Sequence, residues 1–167
     1  MKHTISVFVK NEAGVLSRVA DLFSSRGYNI ESLTVAPTID REFSRITIIT
    51  EGDDLVIEQI IKQLNRLIPT IKVADLNKEE ALEYELILCK IKAKEKNRSE
   101  ILRIAEIFGA RIIDTAPGIY TLQIVGDEKH INAFLDLIRP IGVKELVRSG
   151  QVAISRENQF TNIKTMK

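Results

Sequence analysis

The sequence predicts an α+β protein made of two ferredoxin-like modules, each with the element order βαββαβ. Three observations predict it. Apolar residues switch between a spacing of two and a spacing near 3.6, the signatures of half-buried strands and amphipathic helices. The order of these segments in the first half of the chain returns in the second. In addition, Arg18-Val19-Ala20-Asp21-Leu22-Phe23 matches Arg103-Ile104-Ala105-Glu106-Ile107-Phe108 residue for residue at a constant offset. Any two amphipathic helices share apolar positions, so the common order of elements is what favours a duplicated module.

In the first module, residues 3–9 alternate, with Ile5, Val7 and Val9 on one face of a strand. Asn11-Glu12-Ala13-Gly14 interrupts the pattern. Val15, Leu16, Val19, Leu22 and Phe23 then form a helical stripe. Arg26-Gly27 closes that helix, a cation followed by glycine. Residues 30–36 and 43–50 read as strands around a turn at 37–42. Gly52-Asp53-Asp54 caps a second helix with Val56, Ile60, Leu64 and Leu67 inward. Pro69 stops it, and residues 71–76 make a fourth strand.

Residues 77–83 are mostly polar and read as a linker. The second module follows with a strand at 84–92 and a helix at 98–108, with Ile101, Ile104, Ala105 and Phe108 inward. Strands at 111–115 and 119–125 flank a Pro117-Gly118 turn. A helix at 129–138 turns Ile131, Phe134, Leu135 and Ile138 inward, and the last strand is 143–147. The predicted domains are therefore 1–76 and 84–150, with a polar C-terminal tail at 151–167. Two crossovers per module give four antiparallel strands with both helices on one face. Such small units leave a sheet face and edges that are commonly covered by pairing.

Charge narrows the function. The 167 residues carry 24 basic and 23 acidic side chains, a net +1, with no basic stripe of the kind nucleic acid requires. Cut after Leu76, the first part holds 9 basic and 10 acidic residues and the second 15 and 13. An RNA-recognition module shares the element order but stacks bases on aromatics of its central strands. Here the first strand offers only Phe8 and the third only Phe43. The apolar runs are too short to span a bilayer. Met1-Lys2-His3 leads into an alternating strand rather than a signal peptide, so a cytoplasmic location is expected.

Nor does a catalytic set stand out. Cys89 is the single cysteine, which excludes an internal disulfide, and in Leu86-Ile87-Leu88-Cys89 it reads as a buried strand residue. The sequence has no metal-ligand spacing, no glycine-rich phosphate loop and no nucleophile elbow. Glu79-Glu80 reads as solvated linker charge and Asp53-Asp54 as a helix cap. No catalytic residue and no metal ligand is expected, which counts against a small enzyme on this fold.

The unusual place is Asn11-Glu12-Ala13-Gly14-Val15-Leu16, between the first strand and helix. Glycine weakens a helix but lets a ligand approach the backbone. The free N–H groups of a helix start bind anions, carboxylates included. An asparagine amide both donates and accepts. The plain alternative is a tight turn with Asn11 as the cap. Asn29, at the entry to the second strand, reads either as an ordinary turn residue or, across a dimer axis, as part of a small polar pocket.

These residues also carry a resemblance. Asn11-x-x-Gly14-Val15-Leu16-x-Arg18-Val19, then Phe23-Ser24-x-Arg26-Gly27-Tyr28-Asn29-Ile30-Glu31-Ser32-Leu33, resembles the ACT domain of the acetolactate synthase (acetohydroxyacid synthase) small subunit. The likeness continues through Ser44-Arg45-Ile46-Thr47, Glu85-Leu86-x-Leu88, Ile112-Ile113-Asp114 and Arg148-Ser149-Gly150.

The resemblance implies a non-catalytic regulatory subunit. Its partner would be a catalytic subunit carrying thiamine diphosphate, magnesium and FAD, with no cofactor in this chain. It implies activation of that partner and feedback inhibition by a branched-chain amino acid, valine ahead of leucine and isoleucine. It further implies a homodimer through side-by-side ACT domains. Asn11, Ala13, Gly14, Val15 and Leu16 of one copy and Asn29 and Ile30 of the other would line the effector site. Neither nucleic acid nor membrane is an expected partner. The alternative within the same resemblance is an amino-acid-sensing ACT protein of another system. In the second module Lys96 stands at the place of Asn11 and Ser99 at that of Gly14, so no matching effector site is expected there.

Overall fold

The computed structural model describes residues 1–78 and 80–156. Among the described residues it divides into two compact units, one of residues 1–82 with 151–156 and one of Glu83–Gly150. Each has a four-stranded antiparallel sheet and two helices, the α+β modules read from the sequence.

The first unit contains β1 (Lys2–Lys10), α1 (Val15–Ser24), β2 (Ser32–Pro37), β3 (Phe43–Glu51), α2 (Asp54–Leu64) and β4 (Thr70–Asp75). The strand order is β2-β3-β1-β4. Opposite pairs such as Ile5↔Ile48 and Val7↔Ile46 put one side-chain row on the helix side. There they pack with Val15, Val19, Leu22 and Phe23 of α1 and Ile57, Ile60 and Leu64 of α2. The other face is buried too. Thr4, Ser6 and Phe8 of β1 and Thr47 and Ile49 of β3 are all below 9% exposed.

Two helix stripes differ by a residue from the sequence reading. Leu16 is 41% exposed, because the helix starts at Val15 and its inward face falls on Val15, Val19, Leu22 and Phe23. On α2, Ile57 rather than Val56 is fully buried, since Asp53 accepts the Val56 N–H at 2.8 Å and fixes the phase of the first turn. The cation expected in the last turn of α1 is absent from it; Arg26 lies beyond the helix, with a guanidinium N–H donating to Leu22 O at 3.4 Å.

The second sheet and its helices are β5 (Ala81–Lys92), α3 (Arg98–Ile107), β6 (Arg111–Ala116), β7 (Ile119–Gly126), α4 (Glu128–Gly142) and β8 (Val143–Ser155), with strand order β6-β7-β5-β8; the ends of β5 before Glu83 and of β8 after Gly150 fall in the first unit. Ile87, Cys89 and Ile91 of β5 meet Leu122 and Ile124 of β7 beneath Ile101, Ile104, Ile131, Phe134 and Ile138. Asp127 caps α4 by accepting the His130 N–H at 2.7 Å.

Two boundaries need correction. The proposed tail does not begin at residue 151: β8 runs on to Ser155, and Gln151 and Ala153 are buried. Backbone pairing sustains this polar stretch, with Arg156 N donating to Glu80 O at 2.7 Å. Gln151 is also fixed from β2, with Ser32 Oγ accepting its N–H and Thr34 Oγ1 donating to its carbonyl. The expected linker is likewise short. A 3-10 turn occupies Leu76–Lys78 and β5 opens at Ala81. The remainder of the polar tail, 157–167, lies outside the described residues.

Candidate functional site

The loop from Asn11 to Gly14 is held by the turn between β2 and β3. Asn11 N donates to Glu42 O at 2.7 Å, and Asn11 Nδ2 donates to Arg41 O at 2.9 Å. Asn11 is therefore not the cap of α1. That position is Gly14, which sits at φ 82°, ψ −3° and offers no side chain to the helix. The left-handed backbone is what requires glycine here. A Cβ would meet nothing within 4 Å, so the space above the loop is open.

The first turn of α1 carries no acidic residue and receives no side-chain cap. Val15 N donates to Glu12 O at 3.4 Å, and the other N–H groups of the first turn, at the positive end of the helix dipole, have no intrahelical acceptor. Ala13, Gly14 and Leu16 are exposed around them, while Val15 is spent on the core. The exposed Leu16 beside these N–H groups supplies an apolar surface next to an anion-favouring one. None of the seven residues singled out from the sequence is titratable, so what they offer is backbone dipoles, amides and apolar surface.

Asn29 and Ile30 lie elsewhere. Thr50 Oγ1 donates to Asn29 O at 2.6 Å, and Glu31 N donates to Ile49 O at 2.8 Å, which fixes them beside the end of β3. Asn11 lies beside its beginning, where Lys10 pairs with Phe43. Seven residue steps along the strand separate Phe43 from Thr50, about 23 Å at the usual rise. One chain thus brings Asn11, Ala13, Gly14 and Leu16 together and keeps Asn29 and Ile30 apart from them. Asn29 Nδ2 is engaged by the Glu31 carboxylate.

The turn at 40–42 reads from the sequence only as a connection between two strands. Asp40 organises it by accepting the Glu42 N–H at 3.0 Å. An Asp whose carboxylate can accept the backbone N–H two residues on is the signal that could have marked it. Among the described residues no group of His, Cys, Asp and Glu could hold a metal ion. No helix among them is long and apolar enough to cross a membrane.

Comparison with known proteins bears on both units. Residues 5–72 match a family model described as an AHAS small subunit-like ACT domain, and residues 84–157 match one described as small subunit of acetolactate synthase. The chain is 51% identical to a probable acetolactate synthase small subunit of Archaeoglobus fulgidus, covering 95% of this chain and 99% of that one. It is 48% identical to the acetolactate synthase isozyme 3 small subunit of Escherichia coli, covering 96% and 99%. The crystal structure of the Thermotoga maritima acetolactate synthase small subunit superposes with a TM-score of 0.85 at 36% identity, covering 95% and 99%. With both units matched and near-complete coverage on either side, the chain belongs to the acetolactate synthase small-subunit family, the regulatory and not the catalytic chains of that enzyme.

Proposed function

We propose that this chain binds an acetolactate synthase catalytic subunit in the cytoplasm, raises its activity, and makes it sensitive to a branched-chain amino acid, with valine the first candidate. Thiamine diphosphate, magnesium and FAD belong in this reading to the partner. The full-length likeness to small subunits carries the role. The uncapped, acid-free start of α1 beside the exposed Leu16 supports the place of the effector. Its N–H groups suit the effector carboxylate, the free Asn oxygens its ammonium, and Leu16 its aliphatic branch.

The separation of Asn29 from Gly14 within one chain is what a shared site needs. β2 is an edge strand. Two copies paired antiparallel along β2 would set the start of one β2 against the end of the other. That arrangement brings Asn29 and Ile30 of one copy to the loop end of its partner.

Gly14→Asp tests the assignment. The new carboxylate would compete for the helix N–H groups and repel the effector. About 2–3 kcal/mol of net repulsion, within the ~4 kcal/mol of two charges ~4 Å apart at an effective dielectric of ~20, corresponds to roughly 30- to 150-fold weaker binding. Because φ is 82°, any side chain adds backbone strain at Gly14. Gly14→Asn adds a similar strain without the charge and is the control. Holoenzyme activity is measured against rising valine, leucine and isoleucine. The expected outcome is activation by both variants, with inhibition lost only in Gly14→Asp. A folded Gly14→Asp subunit with full valine sensitivity would remove the effector from this loop. The chain alone is expected to make no acetolactate from pyruvate; turnover by the pure chain would overturn the regulatory role.

A further inference from the structure

The place in the second module equivalent to the Asn11–Gly14 loop is Lys96–Ser99, and it borders a cleft of about 620 Å3. The end of β5, the 3-10 turn Glu95–Asn97, the start of α3 and the last turns of α4 form its walls. Lys92, Lys94 and Lys96 all line it, and none makes an ion pair with another described residue. The two acidic side chains present do not offset them equally. Asp136 faces Arg139 at 3.8 Å, and Glu100 lies in the first turn of α3, where a carboxylate complements the helix dipole.

The last turns of α4 add Leu137, Pro140 and Ile141 to the lining, with Asp136 among them. Leu137 stands 49% exposed in the cleft, and Ile141 beside it is only partly buried. A purely solvated lysine cluster needs no such lining. Three lysines without ion pairs, from the end of β5 and the 3-10 turn, and aliphatic carbon from α4 match a ligand with an anionic head and an apolar body. Lys suits a compact multivalent anion as a point charge, which favours phosphate over a single carboxylate. A free amino acid fits poorly, since its ammonium would meet three of its own sign.

We propose that this cleft is a binding site for a small organic phosphate, with the phosphate held by Lys92, Lys94 and Lys96 and the organic body against Leu137 and Ile141. The site is independent of the first-module loop and differs from it in chemistry, although the repeat puts both at the same turn.

The test is titration of the full chain with phenyl phosphate and with inorganic phosphate, followed by calorimetry and by amide shifts of residues 96–101. The expected result is saturable 1:1 binding, tighter for phenyl phosphate, with shifts at those amides. Lys94→Gln/Lys96→Gln should weaken it on the order of tenfold, as loss of two exposed charge-assisted contacts implies. Lys129→Gln, on the exposed start of α4, should leave it unchanged. Circular dichroism checks that the variants fold. Equal affinity for both phosphates would overturn the apolar half of the site. Absence of saturable binding, or equal weakening by Lys129→Gln, would overturn the site itself.

Discussion

Cys89 lies 1% exposed between Ile87 and Ile91 on the core face of β5, and burial pushes its thiol from 9.0 up to about 11. The folded chain then keeps a proton that the unfolded chain releases. Stability from this group is full below pH ~9 and is lost as pH rises toward ~11. Cys89→Ala lacks the titration, so its stability deficit by urea denaturation should shrink by about 2 kcal/mol between pH 8 and pH 10.5. A deficit constant across that window would show that the thiol is not desolvated. Glu85 is the other buried ionisable side chain of this sheet, 5% exposed, and it takes three hydrogen bonds from the Arg148 guanidinium at 2.5–3.1 Å. That bonding holds Arg148 above its ordinary range against desolvation. Arg148→Ala should cost about 2–3 kcal/mol, because it strands a buried carboxylate. Glu85→Leu/Arg148→Leu should recover most of it, and a double variant no more stable than the single one would refute that cause. The Arg148-Ser149-Gly150 motif was visible in the sequence, but its reason was not. Arg148 reaches across to Glu85, and Ser149 Oγ accepts the Leu86 N–H at 3.1 Å, pairings 63 residues apart that no local pattern encodes.

At the scale of elements, local signals served the helices better than the strand ends. Asp53 was legible as a cap because Gly52-Asp53-Asp54 precedes a 3.6-spaced apolar run, and its carboxylate does accept the Val56 N–H. Asp53→Ala should lower stability by about 1 kcal/mol in thermal or urea unfolding, and Asp127→Ala on α4 by a similar amount. No change in either variant would mean that water replaces the carboxylate at no cost. The end of α4 was less legible. The apolar spacing ends this helix at Ile138, yet the helix reaches Gly142 with Pro140 inside its last turns. There the missing N–H leaves only the carbonyl of Asp136, an exposed residue, without its helical donor. β8 shows the opposite case. Ser149-Gly150-Gln151 has the composition of a turn, and only long-range pairing makes it strand. Removing both β2 hydroxyls with Ser32→Ala/Thr34→Ala should speed amide exchange at 151–155, since these hydroxyls bond the Gln151 backbone. Unchanged exchange there would show that the β5 ladder alone holds the segment.

For the whole molecule, the duplicated architecture followed from spacing and repetition alone, whereas the candidate site did not, because its two halves lie at opposite ends of one sheet. Periodicity reports which face a residue occupies; it is silent on which copy completes a pocket. The proposed dimer therefore needs its own test, and β2 supplies one. This edge strand has six residues, Ser32–Pro37, and Val35 on it is 46% exposed. In an antiparallel pair of identical strands, residues near the middle of β2 lie close to the two-fold axis and face their own counterparts. Val35→Lys would bring two ammonium groups together there and place a charge of the kind that protects free strand edges from pairing. The fold of one chain should tolerate it, since the long side chain can carry its head into solvent. Sedimentation at micromolar concentration should then report a dimer for the original chain and a monomer for Val35→Lys, with circular dichroism unchanged. If the effector site draws Asn29 from the partner, the monomeric variant should also lose calorimetric binding of valine. A Val35→Lys chain that stays dimeric would move the interface away from β2. A monomer that binds valine with undiminished affinity would confine the site to a single chain.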